Sequence, residues 1–199
     1  PMKTPSQFAV LSLLSLLATT ATVQAGDWYA TAFGGANWDD VLSVPGVSDQ
    51  TGFVVGGAVG MMVPAVKGLR VEAELAARQN EVEIFGGKIN ADHDTTSVMV
   101  NAAYDFDLGS KLVPFVTAGI GWAQTRATFE DIALVRLEAS GLAYQAGAGV
   151  NYAVAPGVAI GVQYRYFQGP ALDPLAGLGV PELSDGSNHS VLASVTFAL

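Results

Sequence analysis

Three groups of side chains in this chain have the types and spacing to do chemistry. His189-Ser190 sets an imidazole beside a hydroxyl, the start of an activated nucleophile if a base can reach the hydroxyl proton. Asp92-His93-Asp94 supplies three ligand-type side chains in succession, a set that could hold a divalent cation, although such a run in a polar connection is the ordinary make-up of a solvated turn. Arg70, Glu72, Glu74 and Arg78, together with Asp105, Asp107 and Arg165, carry charge inside otherwise apolar segments. These call for ion pairing rather than catalysis, because a lone charge taken out of water costs several kcal/mol.

What each group can do depends on the element that carries it. Neighbouring residues of a strand point to opposite sides, so in a strand His189 cannot orient Ser190; Ser187, two residues back, shares the side of His189 but lies where a connection ends. His93 is the one other histidine and falls in a connection. No catalytic centre and no resident metal are predicted. Gly34-Gly35 and Gly56-Gly57 are followed by no phosphate-binding lysine and read as packing, so no cofactor is expected. With no cysteine, a disulfide framework, a thiolate zinc cluster and a cysteine nucleophile are excluded. Acidic residues outnumber basic ones 18 to 9, and a net charge of −9 argues against a nucleic-acid partner.

The first 25 of the 199 residues read as an export signal: Lys3, an apolar run from Phe8 to Leu17, then a polar stretch closing on Val23-Gln24-Ala25. Ten apolar residues are too few to cross a hydrocarbon layer, which takes about 20 in a helix. Cleavage after Ala25 is predicted, leaving residues 26–199 as one domain. The mature chain is exported and acidic.

Residues 139–164 carry no charge and would score as a membrane helix by hydropathy alone. The pattern says otherwise. Pro156-Gly157 interrupts the run, five glycines weaken any helix, and the period is two: Leu142, Tyr144, Ala146, Ala148, Val150 and Tyr152 alternate with Ala143, Gln145, Gly147, Gly149 and Asn151. Beyond the turn Val158, Ile160, Val162, Tyr164 and Tyr166 alternate with Ala159, Gly161, Gln163 and Arg165. This is a hairpin with one apolar side. The same alternation sets Leu69, Val71, Ala73, Leu75 and Ala77 against Arg70, Glu72, Glu74 and Arg78, and Val98, Val100, Ala102, Tyr104 and Phe106 against Asn101, Asp105 and Asp107. Gly- and Ala-rich versions cover 26–37, 51–62 and 112–127, and a last one covers 190–199. Eight strands are predicted. The connections alternate as well: 63–68, 108–111 and 153–157 are short turns, whereas 38–50, 81–94, 128–138 and 168–188 are long and polar.

Alternation fits a soluble barrel with an apolar interior or a membrane barrel with an apolar exterior. The polar side decides, being mostly Gly, Ala, Ser, Thr, Asn and Gln with few charges, a composition suited to a crowded lumen and not to a water-facing wall. The aromatic residues give a second test. With the short turns on one side of the membrane, Phe53, Trp122, Tyr144, Tyr164 and Tyr166 fall at the far interface; Trp28 or Tyr29, Tyr104, Phe106, Tyr152 and Phe197 fall at the near one. Lipid cannot satisfy free backbone groups, so first and last strands must pair.

These stretches (GDWYATAFGGANW, GLRVEAELAAR, SVMVNAAYDFD, VPFVTAGIGWA, LAYQAGAGVNYAV and VAIGVQYRYF) resemble the eight-stranded outer-membrane barrels of Gram-negative bacteria, in the opacity-protein and OmpA-transmembrane-domain-like group often labelled porin family. The resemblance spans the mature chain. It implies an antiparallel up-and-down barrel in the outer membrane with both mature termini periplasmic, outer-membrane lipids and lipopolysaccharide as surroundings, and insertion by the barrel assembly machinery, which reads a terminal aromatic strand. Ala193, Val195 and Phe197 fit that signal, while Leu199 departs from it. Some barrels of this kind modify lipid A with a His-Ser pair, a match His189-Ser190 makes poorly.

An eight-stranded barrel is just wide enough for its own side chains. The interior charges should therefore plug the lumen as ion pairs: register places Arg70 near Asp105 and Asp107, and height sets Arg165 level with Glu74 or Arg78, so a cross-lumen Glu74–Arg165 pair is expected. The long connections gather acidic residues, among them Asp40, Glu83, Asp94, Asp131 and Asp185. They are expected to present a negative surface to lipopolysaccharide through bridging cations, or to host or phage ligands. The expected role is structural and surface-exposed; a narrow channel or transporter for small or apolar solutes is the alternative.

Overall fold

The Pro156-Gly157 step is a hairpin turn: Ala155 pairs with Val158, and Gly157 takes φ 72°, which a side chain would strain. Gly68 does the same at φ 86°, where an added Cβ would meet the Asp105 carbonyl at 2.5 Å. The computed structural model describes residues 28–39, 47–49, 51–84, 89–129, 135–170 and 186–199; the export signal lies outside them. Its strands are β1 (Trp28–Asp39), β2 (Val47–Asp49), β3 (Gly52–Met62), β4 (Leu69–Ile84), β5 (Ile89–Asp105), β6 (Leu112–Phe129), β7 (Val135–Ala155), β8 (Val158–Gln168) and β9 (Ser187–Ala198).

Eight of these close into one antiparallel barrel in chain order, each strand pairing with the next. β1 pairs on one side with β3 and on the other with β9, from Tyr29↔Ala198 to Asp39↔Asn188, so no edge is left across the wall. The Leu199 N–H donates to the Trp28 carbonyl at 2.9 Å, tying the residue after β9 to the first strand as well. Pro114, lacking an N–H, sits at the third residue of β6, where the ladder tolerates it.

The pleat sends polar side chains inward. On β5, Val98 and Val100 are 56% exposed, while Ser97, Met99 and Asn101 between and beside them are at most 2% exposed. Leu142, Ile120, Val162 and Trp122 are exposed in the same way, whereas Arg70, Glu74, Arg78 and Arg165 are buried. The greasy face looks out and the charge looks in.

Two expectations are corrected. The connections at 81–94 and 128–138 are mostly ladder: β4 and β5 stay in register to Ile84↔Ile89, and β6 and β7 to Phe129↔Val135. The cause is visible in Glu81-Val82-Glu83-Ile84, where the alternation and the strand-forming Val and Ile continue past the apolar belt. Within the long connection after β1, Val47–Asp49 adds to this extension as β2, paired with Ile84, Glu83 and Val82. The barrel wall is thus taller on the long-connection side than the sequence suggested.

Candidate functional site

β4 threads its charges up one side of the lumen because Arg70, Glu72, Glu74 and Arg78 share parity on a strand whose other face is apolar. The central cluster is built on Glu74, 2% exposed. Its Oε1 accepts from Arg165 Nη1 across the lumen at 2.8 Å and from Gln145 Nε2 at 3.2 Å, and its Oε2 accepts from Asn101 Nδ2 at 3.0 Å. Gln145 also donates to Asn101 at 2.7 Å, which joins β4, β5, β7 and β8 in one network. A buried carboxylate with three donors is satisfied.

Toward the short turns lies a second cluster. Arg70 donates to Glu72 Oε1 at 2.6 Å, to Asp105 Oδ1 at 2.9 Å and to the Tyr29 hydroxyl at 2.9 Å, while Tyr29 donates to Glu72 at 2.7 Å. Toward the long connections, Arg78 Nη1 donates to Ser97 at 2.9 Å, and an amide chain runs from Ser190 to Asn188, Asn37 and Asn80. Each arginine also lies over a ring: Arg70 at 5.4 Å from Tyr29 and 5.5 Å from Phe115, Arg165 at 4.9 Å from Phe33, Arg78 at 3.8 Å from Phe167. Between the Glu74 and Arg78 levels sits an apolar collar of Phe33, Val54, Ala76 and Leu192, facing Met99, Ala123, Ala143 and Phe167.

Arg70, Glu72, Glu74, Arg78, Asp105 and Arg165 all face the lumen. Asp107 does not, which corrects its expected place there: β5 ends at Asp105, and Asp107 stands in the following turn, 2.8 Å from Lys67 on the neighbouring turn. That hydrogen bond from Lys67, with a second from the Gly109 N–H, holds the Asp107 carboxyl below its ordinary range, and the same bond raises the Lys67 ammonium. Of the alternatives at the start of the first strand, Trp28 takes the outward parity and Tyr29 enters the lumen, 7% exposed. Phe53, Tyr104, Phe106, Trp122, Tyr144, Tyr152, Tyr164 and Phe197 are exposed on the wall, with Tyr166 beside Tyr144.

The groups singled out for other chemistry come apart. Ser190 is fully buried in the lumen at 0% exposure, while His189 faces outward and meets the Tyr164 hydroxyl at 2.5 Å, stacked on Trp38. His93 lines a small lumen cavity of about 10 Å³ with Arg78 and Asn80, and Asp94 is exposed on the opposite side of β5. Among the described residues no three ligand-type groups converge. Alternation foretold the charges inside; it did not single out Asn101, Gln145 and Tyr29 as their partners, though each has inward parity and a polar tip.

Among the described residues the interior is therefore largely filled, with lumen cavities of about 10 Å³ and about 40 Å³. A search of solved structures finds the same architecture. Neisserial surface protein A is 17% identical over 89% of this chain and 100% of its own, with a TM-score of 0.63. A major outer membrane protein from Thermus thermophilus is 10% identical over 86% and 99%, with a TM-score of 0.56. The N-terminal barrel of Pseudomonas aeruginosa OprF is 16% identical over 87% and 98%, with a TM-score of 0.51. At these identities the likeness carries the fold. No curated protein sequence matches the chain. The family model for the outer membrane protein beta-barrel domain matches residues 7–197. With its wall apolar, its lumen charged and its strands closed, this chain belongs to the outer membrane protein beta-barrel family and resides in the outer membrane.

Proposed function

We propose that the protein is a plugged structural barrel that supports the envelope and presents an acidic surface outside the cell. The observation that carries this reading is the Glu74–Arg165 pair, which with Asn101 and Gln145 fills the lumen at mid-height. With the interior occupied, the surfaces left for action are the belt and the long-connection rim. In this reading the short turns and both mature termini are periplasmic, the barrel assembly machinery inserts the chain, and residues 1–25 are removed.

At the rim Asp and Glu greatly outnumber Lys88, Arg126 and Arg136. The relative Ail of Yersinia pestis, 15% identical with a TM-score of 0.50, has been solved with the heparin analogue sucrose octasulfate, a polyanion. An acidic rim repels such a ligand. Host or phage partners of this chain are cationic, and lipopolysaccharide phosphates approach it through divalent cations. Catalysis has no support here, since the wall separates His189 from Ser190.

The test is planar-bilayer recording of the refolded mature chain, run beside surface biotinylation of intact cells. Silent bilayers with labelled rim lysine support a plugged, exposed barrel; regular conductance steps move the protein to the alternative, a narrow channel for small solutes.

A further inference from the structure

On the turn side of the Glu74–Arg165 pair lies the cavity of about 40 Å³, with Thr31, Thr117, Asn151, Gln163, Ser194 and Thr196 in its polar lining. Two donors there lack a protein acceptor among the described residues. Arg165, 5% exposed, commits its Nη1 to Glu74 and its Nη2 to Gln163 Oε1 at 3.2 Å, which leaves its buried Nε–H; the Nε2 of Gln163 is buried and likewise without an acceptor. A donor left so is costly, and the cavity supplies the room for what completes it.

Charge selects the occupant. Arg70 and Arg165 border this space with Glu72 and Glu74, so the surrounding charge is balanced and an anion finds no net attraction. A small neutral molecule that both accepts and donates fits: it takes the two orphan N–H groups and returns hydrogen bonds to carboxylate and hydroxyl oxygens. At roughly 10–15 Å³ of such volume per water, the cavity takes about three. Glu72 keeps 14% side-chain exposure and Asp105 18%, which links this space to the turn-side mouth, whereas the collar of Phe33, Val54, Ala76 and Leu192 stands on its other side.

We infer that the turn-side half of the lumen is a built water site, a chamber of ordered waters bonded to Arg165 Nε and Gln163 Nε2 that brings solvent up to the Glu74–Arg165 pair and ends at the apolar collar. This half of the lumen is thus hydrated through the turn-side mouth. This assignment is independent of what the rim recognises.

Water-to-protein magnetisation transfer in lipid nanodiscs tests it, on the deuterated mature chain with labelled Thr, Val, Leu and Met methyls. Transfer is expected at Arg165 Nε–H, at the Gln163 side-chain amide and at the Thr31 and Thr117 methyls, and is expected to be at least fivefold weaker at the methyls of Val54, Leu192 and Met99. Gln163→Leu should lower transfer at the threonine methyls at least twofold with the barrel still folded by its amide spectrum. Equal transfer to collar and chamber methyls overturns the one-sided arrangement, and no transfer to the chamber methyls overturns the water site. Transfer that appears only after bulky gluconate replaces chloride would identify a bound halide instead. The methyl readout stands by itself if the Arg165 Nε–H is too broad to observe.

Discussion

Removing Arg165 should strand a buried carboxylate at mid-height in the lumen. In Arg165→Ala, Glu74 stays 2% exposed and loses its 2.8 Å ion pair, keeping the bonds from Asn101 at 3.0 Å and Gln145 at 3.2 Å. Breaking a buried pair from one side costs roughly 3–5 kcal/mol because the other charge remains. The two surviving amide donors pull the value to the low end, and loss of the guanidinium over Phe33 adds about 0.5–1 kcal/mol. The sum is about 3–4 kcal/mol, more than a hundredfold in the folding equilibrium. Replacing both partners by apolar residues of like volume, Glu74→Leu with Arg165→Met, should recover most of it, since no charge is then stranded. Urea titration in phosphatidylcholine vesicles, followed by tryptophan emission and by mobility in SDS without boiling, measures both. An Arg165→Ala barrel within about 0.5 kcal/mol of the parent, or a double variant no better than the single one, would refute the reasoning.

Other consequences follow from the same geometry. Val100→Arg puts a cation on the outward face between the levels of Trp122 and Tyr104 and should destabilise the barrel in vesicles by about 2–4 kcal/mol, read as a shift of the urea midpoint. Gly35→Ala builds a Cβ 1.9 Å from the Val191 carbonyl at the closing β1–β9 seam, so the heat-modifiable folded fraction should fall sharply in gel-shift assays. The Asp107 carboxyl should titrate below ordinary aspartate by carbon NMR and rise part of the way back in Lys67→Ala, where the bond from the Gly109 N–H remains. Its contribution is present above the ordinary carboxylate range and disappears as pH falls through the lowered value; since both groups are fully exposed, unfolding midpoints should barely move.

Most of the barrel was legible because a membrane wall has a period of two and two unlike faces. Leu142 to Tyr152 and Val158 to Tyr166 gave hairpin, turn and facing together, and the height of Arg165 above Gly157 led to Glu74. What was harder to read has physical causes. Strand ends past the membrane lose the apolar contrast that marks them, so Glu81–Ile84 and Ile89–Asp94 looked like a loop while the backbone continued to pair. Asp107 follows the parity of Asp105 on paper, but parity holds only while the strand lasts, and β5 ends first. The partners Asn101, Gln145 and Tyr29 depend on reach across the lumen, which strand tilt and stagger set and a linear pattern does not contain.

The central claim concerns which way each face points, and nuclear Overhauser contacts between lipid acyl chains and side-chain methyls in nanodiscs test it most directly. The methyls of Val98, Ile120 and Val162, all more than half exposed, should give strong cross-peaks to acyl-chain protons, while those of Val54, Met99 and Leu192, each 1% exposed, should give none. Cross-peaks to the second set with none to the first would contradict the account.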